Sequence, residues 1–372
     1  MFLALRDLRF ARGRFALMGA VVSLMAVLGV LLTGLSAGLS GSGISAVAAL
    51  PAEQFAFSPT ATGDLFSRSV VNSSLWTKAA ALHGVTAAVP FGNLTTTVTA
   101  IAQGKSTDAQ LFGMRPGSFI VPAPRIGARL GSTADGVLIS PAIAAQGLEI
   151  GDRLTLGPTD TPATVIGETA DASYSHIGVI YAPLALWQQV HYGLPGPLPA
   201  SARDQASAVA MNLAPGTDPA IVDHELGTRT LAKSAVYATV PGYSAETGTM
   251  TLIRVFLYLI SALVVGAFFT VWTVQRRREI ALLKAIGAAT GYVLRDALAQ
   301  VVMILLAATA VGTVIGSVAG GLLTRVGAPF ALALGQVAES GGLLIALGVV
   351  GAAIAIGRVT SVDPLTALGA DR

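Results

Sequence analysis

The chain of 372 residues has a mean hydropathy of +0.69, 53% hydrophobic residues and only 12% charged ones. Because a soluble protein usually carries about 25% charged residues, this composition predicts a chain that lies partly in lipid. Cysteine is absent, which excludes disulfides, thiolate nucleophiles and zinc–thiolate sites.

The N-terminal residues predict a surface helix followed by a membrane span. In residues 1–14, Phe2, Leu5 and Leu8 fall on one side of a helix, which is typical of an amphipathic segment on the cytoplasmic membrane surface. Residues 15–40 are uncharged and predict the first span with its stalk. A cleaved signal peptide is the rival interpretation, because "AVAA" near position 49 resembles a cleavage site. We favour an uncleaved span, since signal-peptide cores usually run about 7–15 residues.

Residues 41–248 predict a folded extracytoplasmic domain of mixed α+β class. Strand-like runs such as "VTAAVPFG", "LTTTVTAIA" and "ATVIGE" are bounded by Gly, Pro, Asp and Asn. Helical patches, among them "SPAIAAQGLEI" and "DPAIVDHELGTRTLA", lie between these runs. The length of the segment allows a hydrophobic core of its own.

The remaining residues predict three more spans. The expected segments are the second span with the start of a stalk (249–275), a cytoplasmic helix (276–295), the third span (296–323), an external loop (324–340), the fourth span (341–359) and a cytoplasmic tail (360–372). Arginines flank the spans on one side, next to residues 14, 276 and 358, and basic residues mark the cytoplasmic side. We therefore expect a multi-pass protein of the plasma membrane with both termini in the cytoplasm. This clustering indicates membrane topology and not nucleic-acid binding.

Small residues recur in two of the spans. Gly34 and Gly38, and then Gly312, Gly316 and Gly320, are spaced four apart, which lets helix backbones approach closely in lipid. The pattern fits helix packing within one subunit and a dimer interface equally well.

No catalytic site is predicted. The string "QGKS" lacks the earlier glycine of a phosphate loop, because position 99 is Thr99. "HELGT" at His224 lacks the second histidine of a zinc-peptidase helix, and Ser140 has no glycine elbow. The four histidines are expected to be surface or packing residues, and the chain is expected not to be an enzyme.

Three strings carry a family resemblance. They are "RRREIALLKAIGA" after the second span, "GVLISPAIAAQGLEIGDRLTLG" in the external domain and "VDPLTAL" after the last span. With the order of the spans, they resemble the MacB/FtsX-type (type VII) permeases of ABC transporters. The resemblance implies an integral membrane α-helical fold with four transmembrane helices and a large mixed α+β extracytoplasmic domain between the first and second.

The same resemblance implies partners. It predicts a homodimer of permeases in the lipid bilayer, bound to two copies of an ABC ATPase subunit that holds ATP and Mg. A helix after the second span would dock into that ATPase. The residues expected to couple the two proteins are Arg276, Arg277, Arg278, Glu279, Leu283 and Lys284.

Within the family, a compact four-span chain without cysteine most resembles the haem-exporting HrtB-type permeases. Haem is then the expected cargo, and no covalently bound cofactor is expected. The candidate haem-binding residues are Met25, Tyr243, Glu246, Met250, Arg254 and Tyr258. Methionine and carboxylate groups can ligate haem iron, which points to Met25, Glu246 or Met250, and Arg254 could pair with a propionate. No other metal site is expected.

Other functions remain open at this point. A lipoprotein- or peptide-handling permease, or a drug exporter, would use the external domain to hold cargo and the spans as levers. An FtsX-like regulator would use that domain to switch a cell-wall hydrolase and would transport nothing.

Overall fold

The computed structural model describes residues 12–194, 196–276, 282 and 289–360. The helices are α1 (Arg12–Ala48), α2 (Leu65–Arg68), α3 (Ser73–Ala81), α4 (Pro141–Ala144), α5 (Leu184–Tyr192), α6 (Ala200–Arg203), α7 (Pro219–Leu226), α8 (Lys233–Val236), α9 (Tyr243–Gln275), α10 (Thr290–Arg325) and α11 (Leu334–Thr360). The strands are β1 (Gln54–Phe57), β2 (Val71–Asn72), β3 (Val85–Ala100), β4 (Lys105–Met114), β5 (Ile126–Gly127), β6 (Gly136–Ile139), β7 (Arg153–Leu156), β8 (Thr161–Glu168), β9 (Ser173–Tyr174), β10 (Ile177–Pro183), β11 (Gln205–Ala206), β12 (Ala208–Leu213) and β13 (Arg229–Ala232).

The chain divides into two compact units. The helical unit comprises Met1–Leu39 and Thr247–Arg372, and the central unit comprises Ser40–Glu246. Within the described residues, four helical stretches are long and apolar enough to cross a membrane: Phe15–Ala48, Tyr243–Gln275, Leu294–Arg325 and Leu334–Gly357. Each exceeds the about 20 residues that a span requires. The predicted fold class, four membrane helices with a mixed α+β domain between the first and second, is confirmed.

In the helical unit, glycine lets α1 and α10 pack with their backbones in contact. A Cβ atom at Gly312 would overlap the carbonyl oxygen of Ser23, and one at Gly316 would lie 3.2 Å from the carbonyl oxygen of Val27. The Ser23 hydroxyl also donates to the carbonyl oxygen of Ala308 at 2.9 Å. Gly312 and Gly316 therefore serve helix packing within one subunit, the first of the two expected roles.

A different partner covers the other glycines. The Phe330 ring lies against Gly34 of α1 and Gly320 of α10, where any Cβ atom would overlap it. The backbone of Pro329 covers Gly38 in the same way. The Ala331 N–H donates to the carbonyl oxygen of Gly34 at 3.0 Å. The segment between α10 and α11 thus folds back onto the glycine face of α1, which has room for it because these residues lack a side chain.

The central unit is built on a mixed sheet. Among the described residues its strand order is β13–β1–β12–β3–β4–β10–β6–β8–β5, with β7 beside β3 and β8, and β9 beside β10. The predicted runs "VTAAVPFG" and "LTTTVTAIA" form one strand, β3, and not two. Gly92 makes no turn there, because it pairs with Gly113 on the antiparallel neighbour β4.

Aromatic rings fill the core on one side of this sheet. Phe91 and Phe112 meet edge-on with centroids 4.9 Å apart, and Phe55 and Phe66 meet with centroids 5.4 Å apart. Such pairs add about 0.5–1.5 kcal/mol each to the burial of the rings. Tyr174 packs against the same cluster, and burial raises the pKa of its phenol well above the usual range. The strand β9 is therefore held firmly to the core.

One segment predicted as helix is partly strand. In "DPAIVDHELGTRTLA", α7 begins after Asp218, whose side chain accepts a hydrogen bond from the Ala220 N–H at 2.9 Å. It ends at Gly227, which has a left-handed φ of 64°. The next residues, Arg229–Ala232, form β13 and pair with β1. The glycine terminates the helix before the rest of the apolar pattern can join it.

Replacing Gly92 by alanine is expected to destabilise the central unit. The buried Trp187 ring lies directly over Gly92 and Gly113, so an added methyl would overlap it. Overpacking a core costs about 1–3 kcal/mol. We expect a lower thermal unfolding midpoint for G92A in the detergent-solubilised chain. The control T97A lies at an exposed position of the same strand and should change stability by no more than about 0.5 kcal/mol. Equal midpoints for G92A and T97A would contradict this role of Gly92.

Candidate functional site

The predicted ATPase-coupling residues lie at the link between α9 and α10. Arg276 directly follows α9, and its guanidinium carbon is 5.0 Å from the ring centroid of Trp272. This cation–π contact fixes the start of the link. The other five predicted coupling residues lie outside the described residues: Arg277, Arg278, Glu279, Leu283 and Lys284. The described neighbour Leu282 is 66% exposed.

Most of the predicted substrate residues lie on one helix. Met25 is on α1, and the others lie on α9: Tyr243, Glu246, Met250, Arg254 and Tyr258. From Glu246 to Tyr258 the residues recur every four positions, so they share one side of the helix. Tyr243 lies at the start of α9, with its ring centroid 6.3 Å from that of Tyr237.

Two of these residues belong to the core of the helical unit. Tyr258 is buried, and its hydroxyl is 2.8 Å from the hydroxyl oxygen of Ser340 on α11. Met25 is partly buried against the same apolar cluster. The Tyr258 hydroxyl thus already has a hydrogen-bond partner on a neighbouring helix.

Arg254 offers an unused donor. Its side chain is half-buried, and its Nε atom is buried with no hydrogen-bond partner among the described residues. A buried N–H group without a partner is uncommon in folded proteins. Arginine binds carboxylates in a two-pronged geometry, so this position suits an acidic group of a ligand.

Glu246 has a partner that the sequence did not suggest. The Nε2 atom of His176 lies 2.9 Å from one carboxylate oxygen of Glu246 and 3.1 Å from the other. The Nδ1 atom of the same ring lies 2.8 Å from the hydroxyl oxygen of Ser42 near the end of α1. His176 and Glu246 are each about one-third exposed. The three residues are far apart in sequence, and no local motif marks His176.

The other histidines are placed as expected. His191 stacks on Trp187 with centroids 4.7 Å apart, and burial lowers the pKa of its imidazole, which keeps the ring neutral near pH 7. His83 and His224 are exposed. In the described part of the chain, no group of three or more His, Asp or Glu could hold a metal ion. Ser140 is buried, and its hydroxyl accepts a hydrogen bond from the Val179 N–H at 3.0 Å.

The C-terminal part of the chain matches a known family. Residues 251–364 match the family model described as FtsX-like permease C-terminal. This range comprises most of α9, all of α10 and α11, and the predicted coupling residues between α9 and α10.

Similarity to individual proteins extends over the whole chain. It is 24% identical over 376 residues to a protein of Staphylococcus epidermidis that is named as an HrtB permease of a hemin transport system, with 99% of each chain covered. It is 25% identical over 377 residues to an uncharacterized ABC transporter permease of Mycobacterium tuberculosis, again with 99% of each covered. The resemblance to MacB/FtsX-type and HrtB-type permeases is confirmed.

Two solved structures are similar to part of the chain. The periplasmic region of MacB from Actinobacillus actinomycetemcomitans shares 14% identity and a TM-score of 0.37, with 53% of this chain and 94% of that one covered. The extracellular domain of the ABC-type transporter YknZ from Gram-positive bacteria shares 13% identity and a TM-score of 0.34, with 48% and 98% covered.

Proposed function

We propose that this FtsX-type permease is the membrane subunit of an ABC efflux transporter whose cargo is haem. One observation carries the proposal. A chain with an FtsX-like permease domain at residues 251–364 aligns over 99% of its length with a permease named for hemin transport.

The proposed assembly follows the family. Two copies of this chain span the plasma membrane with their termini in the cytoplasm, and each binds one ATPase subunit. ATP and Mg are held by the ATPase. The central unit lies outside the cell, and the segment at residues 276–295 docks into the ATPase on the inside. The cluster of arginines at residues 276–278 supports this orientation, because basic residues favour the cytoplasmic side.

Force is proposed to travel along two helices. Closure of the ATPase pair would move the docked segment, and α9 ends directly before that segment. Both α1 and α9 are continuous beyond 30 residues, with 37 and 33 residues respectively. A continuous helix transmits displacement along its axis, since each turn is held by backbone hydrogen bonds.

The chemistry of the candidate side chains also supports haem as the cargo. Haem combines an apolar ring, an iron that accepts thioether and carboxylate ligands, and two acidic propionates. Met25, Glu246 and Met250 supply such ligand types, and the unpaired Nε of Arg254 suits a propionate. Hydrophobic cargo that enters from the membrane would meet Glu246 and Met250 near the start of α9.

A haem titration of the purified chain tests the proposal. The wild type is expected to shift the Soret band of added haem. E246A and M25A are each expected to weaken binding about tenfold or more, which corresponds to about 1.4 kcal/mol. The control E149A removes an exposed carboxylate elsewhere in the central unit and should bind as the wild type does.

Two results would count against haem. One is a wild type without a Soret shift, and the other is a shift that neither E246A nor M25A alters. In that event, cargo-stimulated ATP hydrolysis with lipoprotein, peptide or drug would favour the corresponding exporter. Co-purification of a cell-wall hydrolase, without stimulation of ATP hydrolysis by any cargo, would favour a regulator.

A further inference from the structure

The hairpin of β9 and β10 turns through two residues, Ser175 and His176. Their φ angles are 49° and 66°, both left-handed. Two positive φ angles are typical of type I′ hairpin turns, which favour asparagine and glycine. Residues with a Cβ atom adopt this conformation at a cost of about 1–2 kcal/mol each. Contacts of the turn must therefore hold it in place.

The turn is fixed to the last turns of α1. The Ser175 N–H donates to the carbonyl oxygen of Gly43 at 2.8 Å, and the His176 N–H donates to that of Ser42 at 3.2 Å. One residue pair further along, the Ser173 N–H donates to the hydroxyl oxygen of Ser45 at 2.9 Å. Because N–H groups of the turn make these bonds, the position of the His176 backbone does not depend on its side chain.

The imidazole then points its far nitrogen at α9. Ser42 can donate its hydroxyl proton to Nδ1, which leaves the proton of a neutral ring on Nε2. That Nε2–H faces both oxygens of Glu246, at 2.9 and 3.1 Å. Ser42, His176 and Glu246 thus form a continuous chain of hydrogen bonds. The Ser175 hydroxyl adds a bond to the carbonyl oxygen of Pro241 at 3.1 Å.

We propose that His176 is the resident partner of Glu246 and that cargo must displace it. This inference rests on the proposed function, in which Glu246 contacts haem. The imidazole faces the edge of the carboxylate that both oxygens share, so an iron atom that binds at this edge must replace the imidazole. Return of His176 to Glu246 favours release of the cargo. His176 is therefore a positioning residue that sets the affinity of the site and not a ligand of the cargo.

Haem titration of His176→Ala tests this competition. Loss of a hydrogen bond to a charged group is expected to tighten haem binding about tenfold. The matched control His224→Ala removes an exposed histidine of the same unit and should leave binding unchanged. Ser42→Ala removes the partner of Nδ1 and leaves the Nε2 contact with Glu246 in place, so it should tighten binding by less than His176→Ala. His176→Asn, which keeps a donor in the turn, should lie nearer to the wild type.

The double variant supplies the decisive comparison. If His176 acts through Glu246, His176→Ala should have no effect on binding in an E246A background. A loss of affinity in His176→Ala as large as that in E246A would overturn the inference, as would equal tightening in both backgrounds. If the wild type binds haem but His176→Ala does not bind it more tightly, the inference is wrong and the proposed function stands. A wild type without any Soret shift rejects the proposed function and the inference together.

Discussion

Charge reversal at Arg277 and Arg278 is expected to detach the proposed ATPase subunit while the chain stays inserted in the membrane. These residues follow α9 directly and lie in the segment proposed to dock. Removing one partner of a charged pair that is buried at an interface typically costs about 2–5 kcal/mol of binding free energy. Reversal of two charges should therefore weaken association about 100-fold or more and abolish cargo-stimulated ATP hydrolysis. Co-purification with a tagged ATPase, followed by an ATPase assay in lipid nanodiscs, measures both.

Two further variants distinguish a loss of docking from a general effect of changing the charge of the chain. L283D places a carboxylate at a predicted coupling position and should disrupt binding without changing any arginine. R325E reverses an arginine at the far end of α10, and it should leave assembly intact. If the R277E/R278E complex assembles and responds fully to cargo, the proposed route of force through this segment is wrong.

Replacing Gly312 by leucine is expected to break the packing of α1 on α10. The new Cβ atom would overlap the Ser23 carbonyl oxygen and lie 2.6 Å from the Ala26 methyl. Backbone atoms cannot rotate away, so the two helices would have to separate. We expect a loss of about 3 kcal/mol or more, at the upper end of overpacking effects. The thermal unfolding midpoint in detergent, read with the yield of monodisperse protein, measures the loss.

The same helix offers a matched control. A Cβ atom at Gly321 meets nothing within 4 Å, so G321L makes the same chemical change on an open side of α10. The thermal unfolding midpoint of G321L should lie within a few degrees of the wild-type value. If G312L and G321L are equally stable, close contact between α1 and α10 does not stabilise the bundle.

The spans could be predicted from the sequence because they depend on composition. A run of about 20 apolar residues has few stable environments other than lipid, whatever the rest of the chain does. Strand boundaries depend on partners instead. Gly92 resembles a strand end in sequence, yet it continues β3 because Gly113 lies opposite and Trp187 covers both.

The candidate site was only partly predictable for a related reason. Helical spacing groups Glu246, Met250 and Arg254 from sequence alone, because four residues return to the same side of a helix. The contact of His176 with Glu246 joins residues 70 apart, through a turn whose Ser-His sequence lacks the asparagine or glycine typical of such hairpins. Likewise, glycine spacing shows that something approaches α1 closely, but it does not distinguish Phe330 from another helix.

The position of Phe330 limits how closely another polypeptide can approach α1. Gly34 and Gly38 form a notch in α1 into which another polypeptide could sink, yet an aromatic ring and the Pro329 backbone from the same chain already occupy it. A neighbouring molecule can come no closer to α1 there than the thickness of that ring. A second copy of this chain therefore cannot place a helix backbone against Gly34 and Gly38.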